Sequence, residues 1–485
     1  MSKNAYSTNK RVRLCNARDG QAVTPEHESR NEMTAHVPGT AQPLGVAASS
    51  SAGIGSALDR IAYIVLCAFV FDLPWGELVP RLGGLVLGTW IGLLAVGAMA
   101  LRTAVTWRRR VLSPLHYWML SLVAWSALSI FWTLDWDSTV TRVGMYVQVL
   151  TIVCLIWELA VTEGRVVGLL QAYVFGALVA SMGTIYNFMA GRTAAQFAAT
   201  IPGMVVWETY RYSFAYLNED DLGLVLALSI PMVFYLLVSR KGSLLKLLCW
   251  LQLAAGVVAI LLTGSRGALL AAIIGLAMFP LSMFRLPRCQ RVASLVACFG
   301  LIACGTYLVP QSSWTRIFQF GSELSEGTLT HRTVIWAAGL GVFRDHPLLG
   351  VGAGAYGPTI LRVVDVPHVA HNTFLSVLVE LGVIGALLLF ALLASILYSA
   401  LQARYLERCL WITLLLTWTV GVSALTWEYR KPTWLLFGLA AAHAYARRRD
   451  ELAVVYRVNR VQPMHAVRLE HGSPTSWSGY ELHRR

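Results

Sequence analysis

Three side chains in separate segments suggest a site that binds an anion and moves a proton. Arg266 lies in GSRGALLA, where small neighbours let a large anion approach the backbone, and its guanidinium offers a planar fork that matches phosphate oxygens. Arg332 opens the helical pattern of RTVIWAAGLGVF. His371 stands before an apolar span in HNTFLSVLVELGVIG, and an imidazole that titrates near neutrality can accept a proton from a hydroxyl.

These residues also have structural explanations, which the sequence leaves open. A cation at a membrane boundary can extend its charged head to lipid phosphates, which would account for Arg266. A lone histidine such as His371 is more often a hydrogen-bonded structural residue than a catalytic one.

Four more polar residues are candidates for supporting roles. Asn218 and Asp221 in NEDDLG lie at a helix start, so they either cap that helix or bind a ligand. Asn372 directly follows His371. Glu380 lies about 13 Å along a helix from His371, and an ionisable group at that depth in a membrane is functional or paired with a cation.

Metal and nucleotide chemistry lack matching motifs. His368 and His371 have helical spacing, but no HExxH or CxxC pattern accompanies them. The chain also lacks a P-loop, a GxSxG elbow and a GxGxxG turn between a strand and a helix. We therefore expect no metal and no cofactor.

The composition predicts that an integral membrane protein positions these residues. The 485 residues are 56% hydrophobic and only 13% charged, which is more apolar than a soluble protein can cover with polar surface. This composition excludes soluble α/β enzymes, disordered chains and disulfide scaffolds. The net charge of +13 sits in short clusters between apolar runs, so we expect no nucleic-acid partner.

Apolar runs near the ~20-residue length that a bilayer requires predict an all-α polytopic fold with about twelve transmembrane helices. The predicted spans lie at 58–73, 82–101, 112–133, 139–161, 166–189, 222–238, 244–263, 267–284, 292–310, 373–400, 409–425 and 433–446.

The distribution of basic residues predicts the orientation of these spans. With the N-terminus in the cytoplasm, the inner loops carry Arg102 and Arg108–Arg110, Arg165, Arg240 and Lys241, Lys246, Arg285, Arg288, Arg291, Arg404, Arg408 and the cluster at Arg447. The short outer loops carry few cations, which fits the positive-inside rule. An even number of spans then places both termini in the cytoplasm.

The chain divides into three predicted parts. Residues 1–56 are predicted to be a disordered cytoplasmic tail, 57–446 the transmembrane domain, and 447–485 a basic cytoplasmic tail. The transmembrane domain includes two long outer loops, 190–221 and 311–372. We expect the second loop, between the ninth and tenth spans, to be a structured subdomain, because 333–343 has a helical pattern. Its expected buried stripe is Val334, Trp336–Ala338 and Val342.

Four segments together resemble the O-antigen ligase and polysaccharide polymerase family of bacterial envelope enzymes. They are, in order, NEDDLGLVLALSIP, GSRGALLA, RTVIWAAGLGVFRDHPLLGVGAGAYG and HNTFLSVLVELGVIGALL. The similarity covers about 210–390 and, by topology, most of the membrane region.

The resemblance implies a glycosyltransferase in the bacterial inner membrane with its site on the periplasmic face. Its donor is a glycan on polyprenyl (undecaprenyl) diphosphate, and its acceptor is lipid A-core in ligases or another carrier-linked glycan in polymerases. The family's histidine matches His371 as general base, and its two arginines match Arg266 and Arg332, which hold the diphosphate. Two guanidiniums can stabilise the leaving phosphate in place of a metal ion, and direct displacement inverts the anomeric carbon. Membrane lipids are the remaining expected partner.

The alternatives differ in how they use the same residues. We favour an O-antigen ligase-like enzyme, and a polymerase of O-antigen or exopolysaccharide would use the same site. A flippase or transporter of lipid-linked sugars is the second alternative, and it would place its cations in a central cavity that alternates between the two faces.

The topology provides a direct test. Cysteines introduced at 266, 332 and 371 should each react with a membrane-impermeant thiol reagent added from outside, with a cysteine at 241 as the protected control. Protection of any of the three from the outer reagent, with labelling from the cytoplasmic side, contradicts the proposed site.

Overall fold

The protein is described by a computed structural model in which residues 1–50 and 51–485 form two compact units. The described residues are 45–76, 86–106, 110–198, 211–214, 218–284, 309–318, 332–364 and 368–461, with scattered positions between 288 and 307. The predicted N-terminal tail therefore lies almost entirely outside the described residues, as do most of the predicted span 292–310 and the end of the chain after 461.

The described residues form helices, with no strand among them. The first eight are α1 (Gly45–Asp72), α2 (Leu87–Thr106), α3 (Pro114–Leu128), α4 (Trp136–Leu159), α5 (Glu163–Met189), α6 (Ala194–Ala198), α7 (Glu219–Ser239) and α8 (Ser243–Thr263). The others are α9 (Arg266–Leu276), α10 (Met278–Met283), α11 (Gln311–Phe318), α12 (Arg332–Asp345), α13 (Tyr356–Val364), α14 (Thr373–Leu401), α15 (Tyr405–Val422) and α16 (Lys431–Val461). The all-helical fold class is confirmed.

Seven of the described helices are long and apolar enough to cross a membrane: α2, α3 with its 3-10 extension to Phe131, α4, α5, α7, α8 and α14. Each matches a predicted span. Helices also occupy the predicted spans 58–73, 267–284, 409–425 and 433–446, but they are not among these seven. The total of about twelve spans stays a prediction. The last helix, α16, runs without a break through residue 446, where we predicted the transmembrane domain to end.

Helix α7 lies at the centre of the core. Its sequence is apolar on every side, and a helix of this kind is expected to be buried all round. From Leu222 to Leu237 every residue of α7 is buried, and the helix packs against α5, α8, α9 and α15. Polar side chains join three of these helices, since Gln252 donates to the Ser229 hydroxyl (2.9 Å) and accepts from that of Ser181 (3.3 Å). Satisfied polar contacts of this type hold helices together where lipid supplies no partners.

Part of the segment 311–372, which we predict to be a structured outer loop, is helical in the described residues. Helices α12 and α13 pack with the segment before α14 around a small core of Ile335, Val351, Ala355, Tyr356, Ile360, Ala370 and Val379. The helix at 333–343 is confirmed, but its predicted stripe is partly wrong. Val334 is 52% exposed and Ala337 is exposed as well, whereas Ile335 is buried. Trp336, Ala338 and Val342 do pack against the core.

Helix α14 is broken near its middle, and the loop between α12 and α13 fills the break. Gly382 has φ 67° and ψ −169°, which is not helical. The loop and α3 supply hydrogen bonds there, from Val351 N to Val379 O (3.1 Å), Gly352 N to Glu380 O (2.9 Å), Val383 N to Pro347 O (2.9 Å) and Trp125 Nε1 to Leu381 O (2.9 Å). Irregular backbone inside a membrane protein is tolerated where other protein groups satisfy it in this way.

Substitution of Gly382 by alanine should destabilise the protein. The new Cβ would overlap the carbonyl oxygen of Leu348, and the positive φ is strained for any residue with a side chain. We expect a loss of about 2 kcal/mol or more, seen as a lower unfolding temperature of the detergent-purified protein. Gly341→Ala is the matched control, because Gly341 is helical and a Cβ there meets no atom within 4 Å. Equal unfolding temperatures for the two variants would contradict the close fit at Gly382.

Candidate functional site

The beginnings of four helices meet at the candidate site. Asp220 lies in the first turn of α7 and hydrogen-bonds to Ser265, the N-cap of α9. Arg332, at the start of α12, acts electrostatically on both Asp220 and His371, which lies just before α14. The positive ends of helix dipoles and their unpaired N–H groups favour bound anions. The four segments of the sequence resemblance therefore come together at one place.

Arg266 is positioned by the turn between α8 and α9. Gly264 ends α8 in the left-handed conformation (φ 60°), which glycine adopts without steric cost. Ser265 then caps α9 by accepting from the backbone N–H of Ala268 (3.3 Å). Arg266 follows as the first residue of α9 and is half-buried. The sequence GSR thus fixes a helix start with a guanidinium beside it.

His371 has an unusual backbone and a lowered pKa. It has a positive φ of 47°, and no other non-glycine residue among those described does. Burial, the Arg332 guanidinium and His368 lower the pKa of His371 to about 4 from 6.5, against the opposing charge of Asp220. The imidazole is therefore neutral at physiological pH and able to accept a proton.

Hydrogen bonds on both sides hold the His371 segment in place. On one side, the Trp336 indole of α12 donates to the carbonyl oxygen of Ala370 (2.8 Å). On the other, the Thr373 hydroxyl donates to Leu425 O (2.8 Å) and accepts from Trp427 N (2.8 Å). The position of His371 therefore depends on α12, α14 and the connection between α15 and α16.

Three of the predicted supporting residues have structural contacts. Asn218 caps α7 by accepting from the backbone of Asp220 (2.9 Å), and Asn372 caps α14 by accepting from that of Leu375 (3.1 Å). The Asp221 carboxylate accepts from the Trp427 indole (2.7 Å) and from Arg430 (3.0 Å), which ties α7 to the α15–α16 connection. Asn218 and Asn372 start helices that carry the site, and Asp221 anchors α7.

Sequence reasoning missed a buried arginine at the site. Arg211, only 8% exposed, binds Asp220 through its guanidinium (2.6 Å) and lies 3.6 Å from Glu219. It also donates to the carbonyl oxygen of Thr263 at the end of α8 (2.7 Å). The run of three acids in NEDD was the available signal, since it exceeds what one helix cap requires.

Glu380 belongs to a buried ionic cluster. Its carboxylate accepts from the backbone N–H of Gly354 (2.7 Å) and lies 3.4 Å from Arg142 of α4. Arg142 also binds Glu428 (2.8 Å) and lies over the Tyr429 ring. The sequence predicts that Glu380 is either functional or paired with a cation, and the structure pairs it with Arg142. The sequence analysis did not identify Arg142 or Glu428.

A second cluster, Glu163, Glu407 and His443, brings three potential metal ligands within 4.8 Å of one another. The Trp411 indole donates to His443 Nδ1 (2.7 Å), so the neutral imidazole carries its proton on Nε2. In this tautomer that nitrogen has no lone pair for a metal ion, and it has no hydrogen-bond partner among the described residues. The arrangement therefore disfavours a metal ion bound through His443.

Comparisons with known proteins agree with this geometry. Residues 251–390 match the family described as O-antigen ligase, a range that contains Arg266, Arg332, His371 and Glu380. The resemblance to the O-antigen ligase and polysaccharide polymerase family is confirmed. The exopolysaccharide production protein ExoQ of Rhizobium meliloti is 24% identical over 310 residues, which are 59% of this chain and 66% of that relative. The match thus spans just under two thirds of the relative's length.

The low pKa of His371 gives a test that does not require activity. Diethyl pyrocarbonate modifies only neutral imidazole, so His371 should stay reactive down to about pH 4. Arg332→Gln removes a positive charge, and the midpoint should therefore move to higher pH. The signal of His371 is the difference between each protein and its His371→Asn counterpart. A midpoint near 6.5 in the unmodified chain would mean that the imidazole is neither buried nor influenced by Arg332.

Proposed function

We propose that this protein transfers a glycan from a polyprenyl-diphosphate carrier to an acceptor hydroxyl on the periplasmic face of the bacterial inner membrane. One observation carries the proposal: Arg332 and His371 share a charge network with Asp220, whose partner Ser265 directly precedes Arg266. The Arg332 guanidinium, a cation whose shape matches phosphate oxygens, thus lies near the neutral imidazole of His371. The family match over the same residues supports this reading.

The proposed reaction is one displacement at the anomeric carbon. The acceptor oxygen forms a bond to that carbon, the bond to the carrier phosphate breaks, and its electron pair leaves with the diphosphate. Arg266 and Arg332 stabilise the negative charge that develops on the phosphate oxygens. The hydroxyl proton passes to His371, which is neutral above about pH 4 and so is a competent acceptor. Attack opposite the leaving group inverts the anomeric carbon, and the activated donor requires neither metal nor nucleotide.

The sequence leaves two acceptors open, and each of them is favoured by a different comparison. The match to the O-antigen ligase family favours transfer to lipid A-core. The similarity to an exopolysaccharide production protein favours addition to a second carrier-linked glycan, as in a polymerase. Glycan transfer to purified lipid A-core and to carrier-linked glycan, assayed in parallel in proteoliposomes, distinguishes them. Movement of the lipid-linked glycan across the bilayer with no transfer would instead identify a flippase.

Substitutions at the three site residues should abolish or reduce transfer. His371→Ala removes the proton acceptor, and we expect a 10²- to 10⁴-fold lower rate. Arg266→Lys and Arg332→Lys keep the charge but lose the planar two-point contact with phosphate, so turnover should fall as well. The measurement is product formation from lipid-linked glycan by purified protein.

Matched controls come from exposed residues elsewhere in the chain. His346→Ala and Arg192→Lys alter an exposed histidine and an exposed arginine that contact none of the proposed site residues. Both should keep the unmodified rate. Transfer by His371→Ala at the rate of His346→Ala would remove the general-base assignment, and normal turnover of both lysine variants would favour contact with lipid phosphate instead.

A further inference from the structure

A cavity of about 150 Å³ lies beside the buried ionic cluster and next to the His371 segment. It is bounded by α4, α13, α14 and the connection between α15 and α16, and its polar lining consists of Arg142, His368, Ser376, Glu380 and Thr426. Ser376, Glu380 and Thr426 are buried, whereas Val369, which also lines the cavity, is 43% exposed. The cavity therefore has a buried polar floor and a partly exposed rim.

The charges on the floor are unsuited to an anion. Arg142 is the guanidinium of the cluster, and two carboxylates, Glu380 and Glu428, lie within 3.4 Å and 2.8 Å of it. The guanidinium is already bound by both carboxylates, so it offers little positive charge to a phosphate. A metal ion is disfavoured too, because the same carboxylates already accept from Arg142, from Gly354 N and from the Ser376 hydroxyl (3.0 Å). A neutral ligand rich in hydroxyl groups fits this floor.

Two buried polar atoms, one on a lining residue and one on a residue bound to lining residues, have no hydrogen-bond partner among the described residues. They are the Thr426 hydroxyl oxygen, on a side chain that lines the cavity, and the second carboxylate oxygen of Glu428, which is 3% exposed. Buried polar atoms are almost always paired, so atoms of this kind indicate a missing donor or acceptor. A hydroxyl of a sugar ring in the cavity can pair with Thr426.

The cavity adjoins the proposed base along the chain. His368, Val369 and Ala370 form one of its walls, and the next residue is His371. His368 is also close enough to influence the charge of His371. A ring in the cavity would thus lie beside the imidazole, whereas a diphosphate would be held by Arg266 and Arg332.

We propose that this cavity binds a neutral sugar ring of the acceptor, so that an adjacent hydroxyl faces His371. Glu380 and Thr426, which line the cavity, act as hydroxyl-binding residues, and Arg142 holds Glu380 in position together with Glu428. The volume admits one ring and not a chain. This inference rests on the proposed glycan transfer, of which it names the acceptor subsite.

Binding of soluble sugars tests the subsite without any transfer reaction. The probes are methyl β-D-glucopyranoside and methyl β-D-galactopyranoside, with purified full-length protein in nanodiscs and saturation-transfer difference NMR. At least one probe should show ring-proton signals that fall severalfold in Val369→Trp, which narrows the rim. Leu361→Trp is the matched control, since Leu361 is exposed on α13 and does not line the cavity.

Transfer kinetics provide the second test, because the KM for the acceptor should change while the KM for the donor should not. Thr426→Val keeps the shape of the side chain but removes the hydroxyl, and the acceptor KM should rise about three- to tenfold, the loss of one hydrogen bond. The donor KM and kcat should stay within about twofold. A fall in kcat with an unchanged acceptor KM would assign the cluster to proton transfer or folding and would overturn the subsite.

The two tests also separate this inference from the proposed function. If wild-type protein transfers glycan while both probes give no signal and the acceptor KM of Val369→Trp is unchanged, the subsite is wrong and the transferase stands. If sugars bind in a manner sensitive to Val369→Trp but no transfer occurs with any acceptor, the cavity is a sugar site and the proposed reaction is wrong.

Discussion

The absence of water in a bilayer is the constraint on which this structure depends, and the break in α14 is where it acts most strongly. A helix that loses its internal hydrogen bonds inside the membrane requires other protein groups to replace them. The loop between α12 and α13 does so at Gly382, and its Gly354 N–H also donates to Glu380. These hydrogen bonds tie the loop between α12 and α13 to α14, the helix that begins just after His371.

Buried arginines recur in this structure, and each of them is paired with acidic side chains. Arg102 binds Asp59 and Glu158, Arg211 binds Asp220, and Arg142 binds two glutamates. Breaking a buried pair leaves an uncompensated charge, so such contacts fix one arrangement of the helices. The sequence analysis uses Arg102 only as a basic residue of a predicted inner loop, which indicates the orientation of the spans. Its low exposure and its two acidic partners give it a structural part as well.

The sequence was sufficient for features that depend on local pattern. Apolar length predicted the spans, and the capping residue Asn218 predicted a helix start, because these signals lie within a few neighbouring residues. The three residues of the proposed site were found as separate motifs. The ionic clusters could not be found in that way, since Arg142 and Glu428 are 286 residues apart and pair only after the helices assemble. The predicted buried face of α12 wrongly included Val334, because the sequence does not show on which side of this helix the core lies.

The backbone at His371 has a consequence for how the site can change. A left-handed conformation costs a residue with a side chain about 1–2 kcal/mol, which asparagine or glycine tolerates better. The surrounding contacts of Trp336 and Thr373 oppose any relaxation. Selection for heat resistance alone would therefore tend to replace this histidine. Stabilising substitutions that are meant to keep the proposed base should therefore be sought at other residues.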